Sequence, residues 1–317
     1  MNLEQLRGFA EVADTRHFTR AAERLHVTQP SLSRQIATLE STLGVELFHR
    51  ARGNVGLTAA GERLLPIARR MLADAETAVS EMAELAGLRR GRIRLGATPT
   101  LCTSIVVEVV DEFHERYPGI DIEVLERGSK SLIAALVEGK LDLALIVTSV
   151  SSEAARAVLE LEPVLSEQLV VASAADRPWP AELTTPVELA ALAAVPQIAF
   201  PENYDLRAAL DAAFRARELT PLVAVEGVEM DAALRFAERG LGVVVVPAMV
   251  AVERPGLRVA PLASPGLART VSIARRIDME PTHAGAAMRT LVREVADRFA
   301  DRDDSRVNLV RRVSEAG

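Results

Sequence analysis

Near the amino terminus, apolar residues fall at helical spacing three times in succession. Leu3, Leu6, Phe9, Ala10 and Ala13 form one stripe, Phe18, Ala21, Ala22 and Leu25 a second, and Leu32, Ile36 and Leu39 a third. The second and third predicted helices are short and separated by a tight turn, the geometry of a helix-turn-helix unit. Ala21 and Ala22 permit close helix approach, Val27 is placed to plug the corner, and Thr28 is a good N-cap for the third helix. Pro30 costs little in the first turn, where amides have no intrahelical partner. Two short extended segments around Gly53 and Asn54 then predict a hairpin wing anchored inward by Leu47, Phe48 and Leu57. With Thr58 as cap, a long helix is expected from about Ala59 to Ala86. Along it Leu64, Ala68, Met71, Ala75, Ala78, Met82 and Leu85 alternate four and three residues apart, the seam of a coiled coil. The rival reading is a helix that lies on its own domain; its length and its place directly after the head favour dimerisation.

Gly87, Arg89, Arg90 and Gly91 mark a hinge. Beyond it, strand and helix patterns alternate. Strands are expected around Ile93, Leu95 and Ala97, around Ile120, Ile122 and Val124, and over 141–147, 168–172, 197–200, 222–225, 242–246 and 270–274. Helices are expected around Ile105, Val109, Val110 and Phe113, and over 132–138, 206–217, 230–238 and 284–299. This alternation predicts two α/β lobes built on parallel sheet, the first closed by the returning C-terminal segment. Crossovers are placed near 162–166 and 263–267. The expected organisation is a winged helix-turn-helix over 1–60, a linker helix over 59–88, a two-lobed domain over 91–300 and a tail over 301–317 outside the core. Lobe I takes 91–163 and 267–300, and lobe II takes 164–266.

Charge sharpens this picture. The net charge of -7 is unusual for a nucleic-acid binder, yet residues 1–63 hold eight Arg against seven acids, so the head is near neutral and the acidity lies behind it. Modest non-specific affinity and a need for more than one head follow. One cysteine excludes an intrachain disulfide or a thiolate metal cluster. No signal-peptide core and no run of about 18 apolar residues appear, which points to the cytoplasm and away from membranes. On the predicted third helix, Thr28, Gln29, Pro30, Ser31, Ser33, Arg34 and Gln35 face away from the apolar stripe. Gln and Arg can read base edges, and Ser and Thr commonly position on phosphates. Arg50 and Arg52 on the wing would meet the backbone or the minor groove. Such residues also solvate ordinary surface helices; the preceding helix and turn decide for DNA.

The string Ala21, Ala22, Leu25, Val27, Thr28, Gln29, Pro30, Leu32, Ser33, Ile36, Leu39, Glu40, Gly44, Leu47, Phe48, Arg50, Leu57, Thr58 and Gly61 resembles the winged helix-turn-helix of the LysR-type transcriptional regulators. The likeness extends over roughly residues 2–300. Gly96-Ala97-Thr98-Pro99, the run from Gly139 to Ala144, and Gly240, Gly242 and Pro247 resemble the effector-binding domain of that family, itself similar to periplasmic solute-binding proteins. The resemblance implies heads paired through the linker helix and two dimers forming a tetramer on operators of inverted symmetry, with a T and an A bracketing an 11-base spacer. RNA polymerase is a further implied contact, and no cofactor is expected. His17 departs from the usual Ser that opens the second helix, and Gly56 replaces an often polar wing residue.

Ligands of doubly wound sheets bind beyond the carboxyl ends of strands, near helix N-termini. That rule selects Thr98, Thr100, Ser129, Lys130, Val147 and Thr148 on lobe I, and Phe200, Asn203, Glu226 and Gly227 on lobe II. Hydroxyls beside amides suit a carboxylate, with Lys130 adding charge or merely solvating its helix, and with Thr98 and Thr100 contacting ligand or only capping. Glu226 would repel an anion or accept from an amine-bearing ligand. An enzyme is disfavoured: His17, His26 and His49 belong to the head, His114 and His283 fall off the cleft loops, and no nucleophile–base constellation or metal-ligand spacing is present. Cys102, in the first turn of a helix, reads as a buried inert thiol rather than an activated one. The function expected is a sequence-specific regulator modulated by a small effector; the alternative is an effector-independent or architectural DNA binder whose rear domain only assembles the oligomer.

Overall fold

The computed structural model describes residues 1–51, 54–85, 91–147, 157–202, 204–252, 254–301 and 309–313. Three helices open the chain: α1 (Leu3–Thr15), α2 (Phe18–Arg24) and α3 (Gln29–Leu43). Their apolar stripes meet in one core of Leu6, Phe9, Ala21, Ala22, Leu32, Ile36 and Leu39. Between α2 and α3 the turn needs a left-handed residue, and His26 supplies it at φ 55°. Val27 does not plug the corner as expected. It is 37% exposed, and Leu25 packs against the core instead. The wing is an antiparallel pair, β1 (Phe48–Ala51) with β2 (Asn54–Leu57), in the register Phe48 to Leu57 and Ala51 to Asn54.

Helix α4 (Ala59–Leu85) leaves the wing and carries Pro66 inside it. Gly61 is buried where a Cβ would stand 2.2 Å from the Leu47 carbonyl oxygen, so the helix starts hard against the head. Leu64, Leu65, Ala68 and Leu72 then pack into the head core.

The rear domain begins with β3 (Gly91–Ala97), α5 (Pro99–Cys102), α6 (Ile105–Arg116), β4 (Ile120–Glu126), α7 (Ser129–Val137) and β5 (Leu143–Val147). It continues with β6 (Leu159–Ala174), α8 (Leu189–Ala193), β7 (Gln197–Ala199), α9 (Asp205–Arg215), β8 (Val223–Glu226), α10 (Met230–Glu238), β9 (Val244–Pro247), α11 (Ala248–Ala251) and β10 (Leu257–Pro261). Last come β11 (Ala268–Arg276), α12 (His283–Asp301) and β12 (Val310–Arg312). The main sheet runs β10-β6-β11-β5-β3-β4, with β9 and β12 also on β6. Helices α6 and α12 cover one face of lobe I and α7 the other, while α10 and α11 and, opposite them, α8 and α9 cover lobe II.

The expectation of parallel sheet holds for β4-β3-β5 and β7-β8; β6, β9, β10, β11 and β12 pair antiparallel. The expected strand over 168–172 is the far half of β6, which begins at Leu159 and passes unbroken through both lobes. Pro163 hid its near half. The register against β11 shifts beside that residue, which is how a sheet accommodates a missing amide. Glu160 and Glu162, which gave the segment a loop-like charge, are ion-paired to Arg289, with Arg275 and Arg293 beside them.

The tail also departs from expectation. Val310–Arg312 return as β12 onto Leu165 to Glu167, at the point where β6 leaves lobe I. Leu309 joins the lobe II core and Val310 touches the cores of both lobes. Arg312 pairs with Asp297 at 3.2 Å and with Asp301. Replacing Val310 by Asp should therefore destabilise both lobes together. A loss of about 1–3 kcal/mol and a melting temperature lower by about 2–8 °C are expected by calorimetry; an unchanged melting curve would show that β12 is an ornament of the joint.

Candidate nucleic-acid interface and ligand cleft

Helix α3 is held at both ends. Thr28 Oγ1 accepts from the Ser31 amide at 3.4 Å, and Gly44 closes the helix in the left-handed region at φ 72°. Burial of Leu32, Ile36 and Leu39 fixes its roll, which leaves Thr28, Gln29, Pro30 and Arg34 exposed and Ser31, Ser33 and Gln35 half-buried. Gln29 Nε2 donates to Ser33 Oγ at 2.9 Å, while Arg34 Nε reaches only the Pro30 carbonyl, at 3.4 Å. The Arg34 guanidinium is thus available to a base edge. Gln35 lies nearer the head, its Oε1 3.4 Å from where a Cβ at Gly8 would stand. Arg52 lies outside the described residues, as does the side chain of Arg50. His17 replaces the usual Ser without loss of the cap: its Nδ1 accepts from the Thr19 amide at 3.2 Å and the Arg20 amide at 3.5 Å.

The predicted dimer seam divides. Leu64 and Ala68 serve the head's own core, because the first turns of α4 lie on α1 and the wing. Ala75 is half-buried, Ala78 exposed, and the side chain of Leu85 lies outside the described residues. The apolar surface left open is Ile67, Met71, Val79 and Met82, at 44%, 36%, 72% and 61% exposure. Ala73, on the opposite side, packs on the rear domain, where a Cβ at Gly139 would stand 2.9 Å from its own Cβ. Polar contacts flank that joint. Arg69 donates to Glu138 at 2.6 Å and pairs with Asp14 of α1, Glu76 meets Arg92 at 2.8 Å, and Asp74 meets Arg276 at 3.5 Å. One guanidinium therefore touches head, linker and sensor at once.

Between the lobes lies a cavity of about 100 Å³. Lobe I contributes Thr98, Thr100 and Val147; lobe II contributes Tyr204, Asp205 and Leu206; Arg269 lines it from β11. Arg269 Nη1 donates to Thr100 Oγ1 at 2.7 Å and its Nε to Glu167 Oε2 at 2.8 Å, and Glu167, fully buried, accepts from the Met249 amide at 2.6 Å. Ser129 is also fully buried, and its Oγ accepts from the Val147 amide at 3.1 Å, while Lys130 stands exposed beside it. Phe200 is buried and stacks on Tyr204 with centroids 5.5 Å apart. Glu226 pairs outward with Arg207 at 2.9 Å, and Gly227 turns at φ 81° with its amide on the Ala199 carbonyl. Thr148 and Asn203 lie outside the described residues.

Arg269, Tyr204 and Asp205 were not singled out from the sequence. The signal for the first was a charge inside each of two apolar strand patterns, Glu167 and Arg269, with opposite signs. Burial raises the Tyr204 hydroxyl well above its ordinary range, helped by its hydrogen bond to Glu229 and by the charge of Glu126. Burial likewise pushes the Cys102 thiol up to about 12, and the Glu126 carboxylate adds to the shift.

The amino-terminal region matches the bacterial regulatory helix-turn-helix protein model of the lysR family over residues 3–62, and the LysR substrate binding domain model matches over 86–297. The HTH-type transcriptional regulator IlvR of Caulobacter vibrioides is 33% identical over 291 residues, aligning 90% of this chain and 96% of that protein. A full-length OxyR from Pseudomonas aeruginosa, carrying a single cysteine-to-aspartate substitution, superposes with a TM-score of 0.71 at 28% identity, covering 92% of this chain and 98% of that one. CbnR in complex with its target DNA, at 24% identity and a TM-score of 0.64, covers 94% and 99% and shares the fold.

Cys102 is half-buried where the sequence reading expected a buried thiol, and the desolvation it does undergo has a measurable outcome. Because folding favours the protonated thiol, alkylation of Cys102 by iodoacetamide should show no thiolate rise as pH increases through the ordinary thiol range near 8.5; a rise centred there would remove the burial argument.

Proposed function

The chain belongs to the LysR family of bacterial transcriptional regulators, and from that premise we propose that it binds operator DNA as paired heads under control of a small carboxylate-bearing effector. The observation that carries this reading is the exposed face of α3, capped at both ends and fixed in roll by three buried apolar residues, on a chain that also holds a cleft with hydroxyls and Arg269 between two lobes. Arg34 and Gln29 read base edges, and Thr28, Ser31 and Ser33 position on phosphates. With the head near neutral, eight Arg against seven acids over residues 1–63, a single head holds DNA weakly and pairing supplies the affinity. Pairing runs along the open face of α4, through Ile67, Met71, Ala78, Val79 and Met82, and places two recognition helices on half-sites of inverted symmetry. Two such dimers form the tetramer. No helix among the described residues is long and apolar enough to cross a membrane, in keeping with action on the chromosome in the cytoplasm.

The effector's carboxylate is received by Thr98, Thr100 and the Arg269 guanidinium, and a ligand touching both lobes favours their closed arrangement. Closure reaches the heads through the joint at Gly139 and Ala73 and through Arg69, and changes the spacing of heads rather than any chemistry. A lone thiol held protonated is no redox switch, so Cys102 stays outside the signal.

Three variants test the separate parts. Arg34→Ala should weaken operator binding or relax its specificity by about 1–3 kcal/mol; a footprint with the same extent, affinity and salt slope removes Arg34 from the interface. Ala78→Glu buries unpaired charge against its own copy and should populate monomers in light scattering and lose operator affinity together; an unchanged mass would move the dimer contact off this face. Arg69→Ala should leave effector affinity intact while the effect of ligand on DNA affinity shrinks from the usual coupling of about 1–3 kcal/mol; full coupling in the variant would show that the signal passes elsewhere.

A further inference from the structure

The walls of the cleft differ in charge. On the floor, Arg269 is 9% exposed and its Nη2, although 2.8 Å from Glu167, has no hydrogen-bond partner. A buried guanidinium N–H without an acceptor, lining a cavity beside the hydroxyls of Thr98 and Thr100, calls for an oxygen acceptor, and a carboxylate supplies two for this set of donors even though Glu167 already balances the Arg269 charge. The facing wall on lobe II has the opposite character. Asp205 lines the cavity directly, and Glu229 stands behind it, holding the Tyr204 hydroxyl. Arg207 on that lobe is bound to Asp211, Glu226 and the Phe200 carbonyl. On lobe I, Arg127 folds back to the carbonyl of Glu126, Lys130 is exposed, and the Glu126 carboxylate is close enough to act on Tyr204. A plain carboxylate would satisfy the floor and meet repulsion from Asp205. A plain amine would meet the reverse.

We infer that the cleft takes a small α-amino acid, its carboxylate on Arg269, Thr98 and Thr100, its ammonium on Asp205, and its apolar side chain against Val147 and Leu206. This deepens the reading of the cleft as the effector site and rests on it. The cavity of about 100 Å³ has room for several water molecules or one short-chain metabolite, which limits the side chain to a few carbons. Bridging is the physical point of the assignment. The carboxylate binds at Arg269, opposite Glu167 in the paired strands β6 and β11, and the ammonium binds the Asp205 carboxylate on lobe II, so only a ligand carrying both charges ties the lobes by charge at each end.

The test is calorimetric titration and thermal shift of the full-length protein with aliphatic L-amino acids. Each is set beside its 2-hydroxy acid, which keeps the carboxylate and loses the ammonium, and its amide, which loses the carboxylate charge. One amino acid should bind, with its hydroxy acid and amide each weaker by about tenfold or more, the size of one charge-assisted hydrogen bond. Asp205→Asn should weaken that amino acid by a similar factor and tighten the hydroxy acid, from which it removes the repulsion. Asp205 is half-buried at a helix start, so Asn there keeps the fold, and an unchanged melting temperature without ligand verifies this. A hydroxy acid that binds as tightly as the amino acid and is lost in Thr100→Val overturns the zwitterion while the cleft stands. Failure of every amino acid in the panel to bind overturns it as well. Amino-acid binding that survives both Thr100→Val and Asp205→Asn overturns the cleft as the site.

Discussion

The arrangement of the rear domain depends on one ion pair, Glu167 with Arg269, directly opposite each other on the antiparallel neighbours β6 and β11 where β6 passes from one lobe to the other. Both residues are buried, Glu167 fully and Arg269 all but the part that lines the cleft. Removing one partner of such a pair costs about 3–5 kcal/mol, because the other is left charged and buried. The pair is also the hub of a set of polar contacts: Arg269 fixes the Thr100 hydroxyl, and Glu167 holds the Met249 amide at the start of α11. The same two side chains therefore link β6 to β11 and set the floor of the cleft. A ligand that occupies the open side of Arg269 acts on the element that both lobes share.

Helix α4 is under a different constraint, since one cylinder serves two neighbours and leaves a third face open. Its first turns complete the head core, Ala73 and the charged residues around it dock on the rear domain, and a face of Ile67, Met71, Val79 and Met82 remains open. Rotation or sliding at one of the two contacts must be answered at the other. The rear domain at Gly139 and the head core are thus joined through a single helix.

Much of this was legible in the sequence where the physics is local. The stripes of α1, α2 and α3, the Thr28 cap and the start of α4 depend on spacing within a few residues, and they read directly. What spacing cannot carry is partnership. The alternation of Leu64, Ala68 and Met71 announces an apolar face but does not say whether the head or a second helix will cover it. The near half of β6 was hidden by Pro163 and by acids that only distant arginines make comfortable. Arg269 and Asp205 escaped notice for the same reason: each matters through a neighbour far along the chain. The glycine motif around Gly139, by contrast, was recognisable, although its use as the docking point for α4 depends on a positive φ and a contact with Ala73 that no local pattern contains.

Strand β12 has a consequence for how the molecule is made. Its partner on β6, Leu165 to Glu167, leaves the ribosome long before Val310 does, so the joint between the lobes stays incomplete for most of synthesis. The head has no such dependence, since its core closes within the first helices and the opening turns of α4. At typical elongation rates the stretch from α4 to β12 takes roughly 10–45 s to emerge. During that interval a finished head is tethered to an unfinished sensor. A nascent chain can thus acquire its grip on DNA before it acquires the means to be regulated.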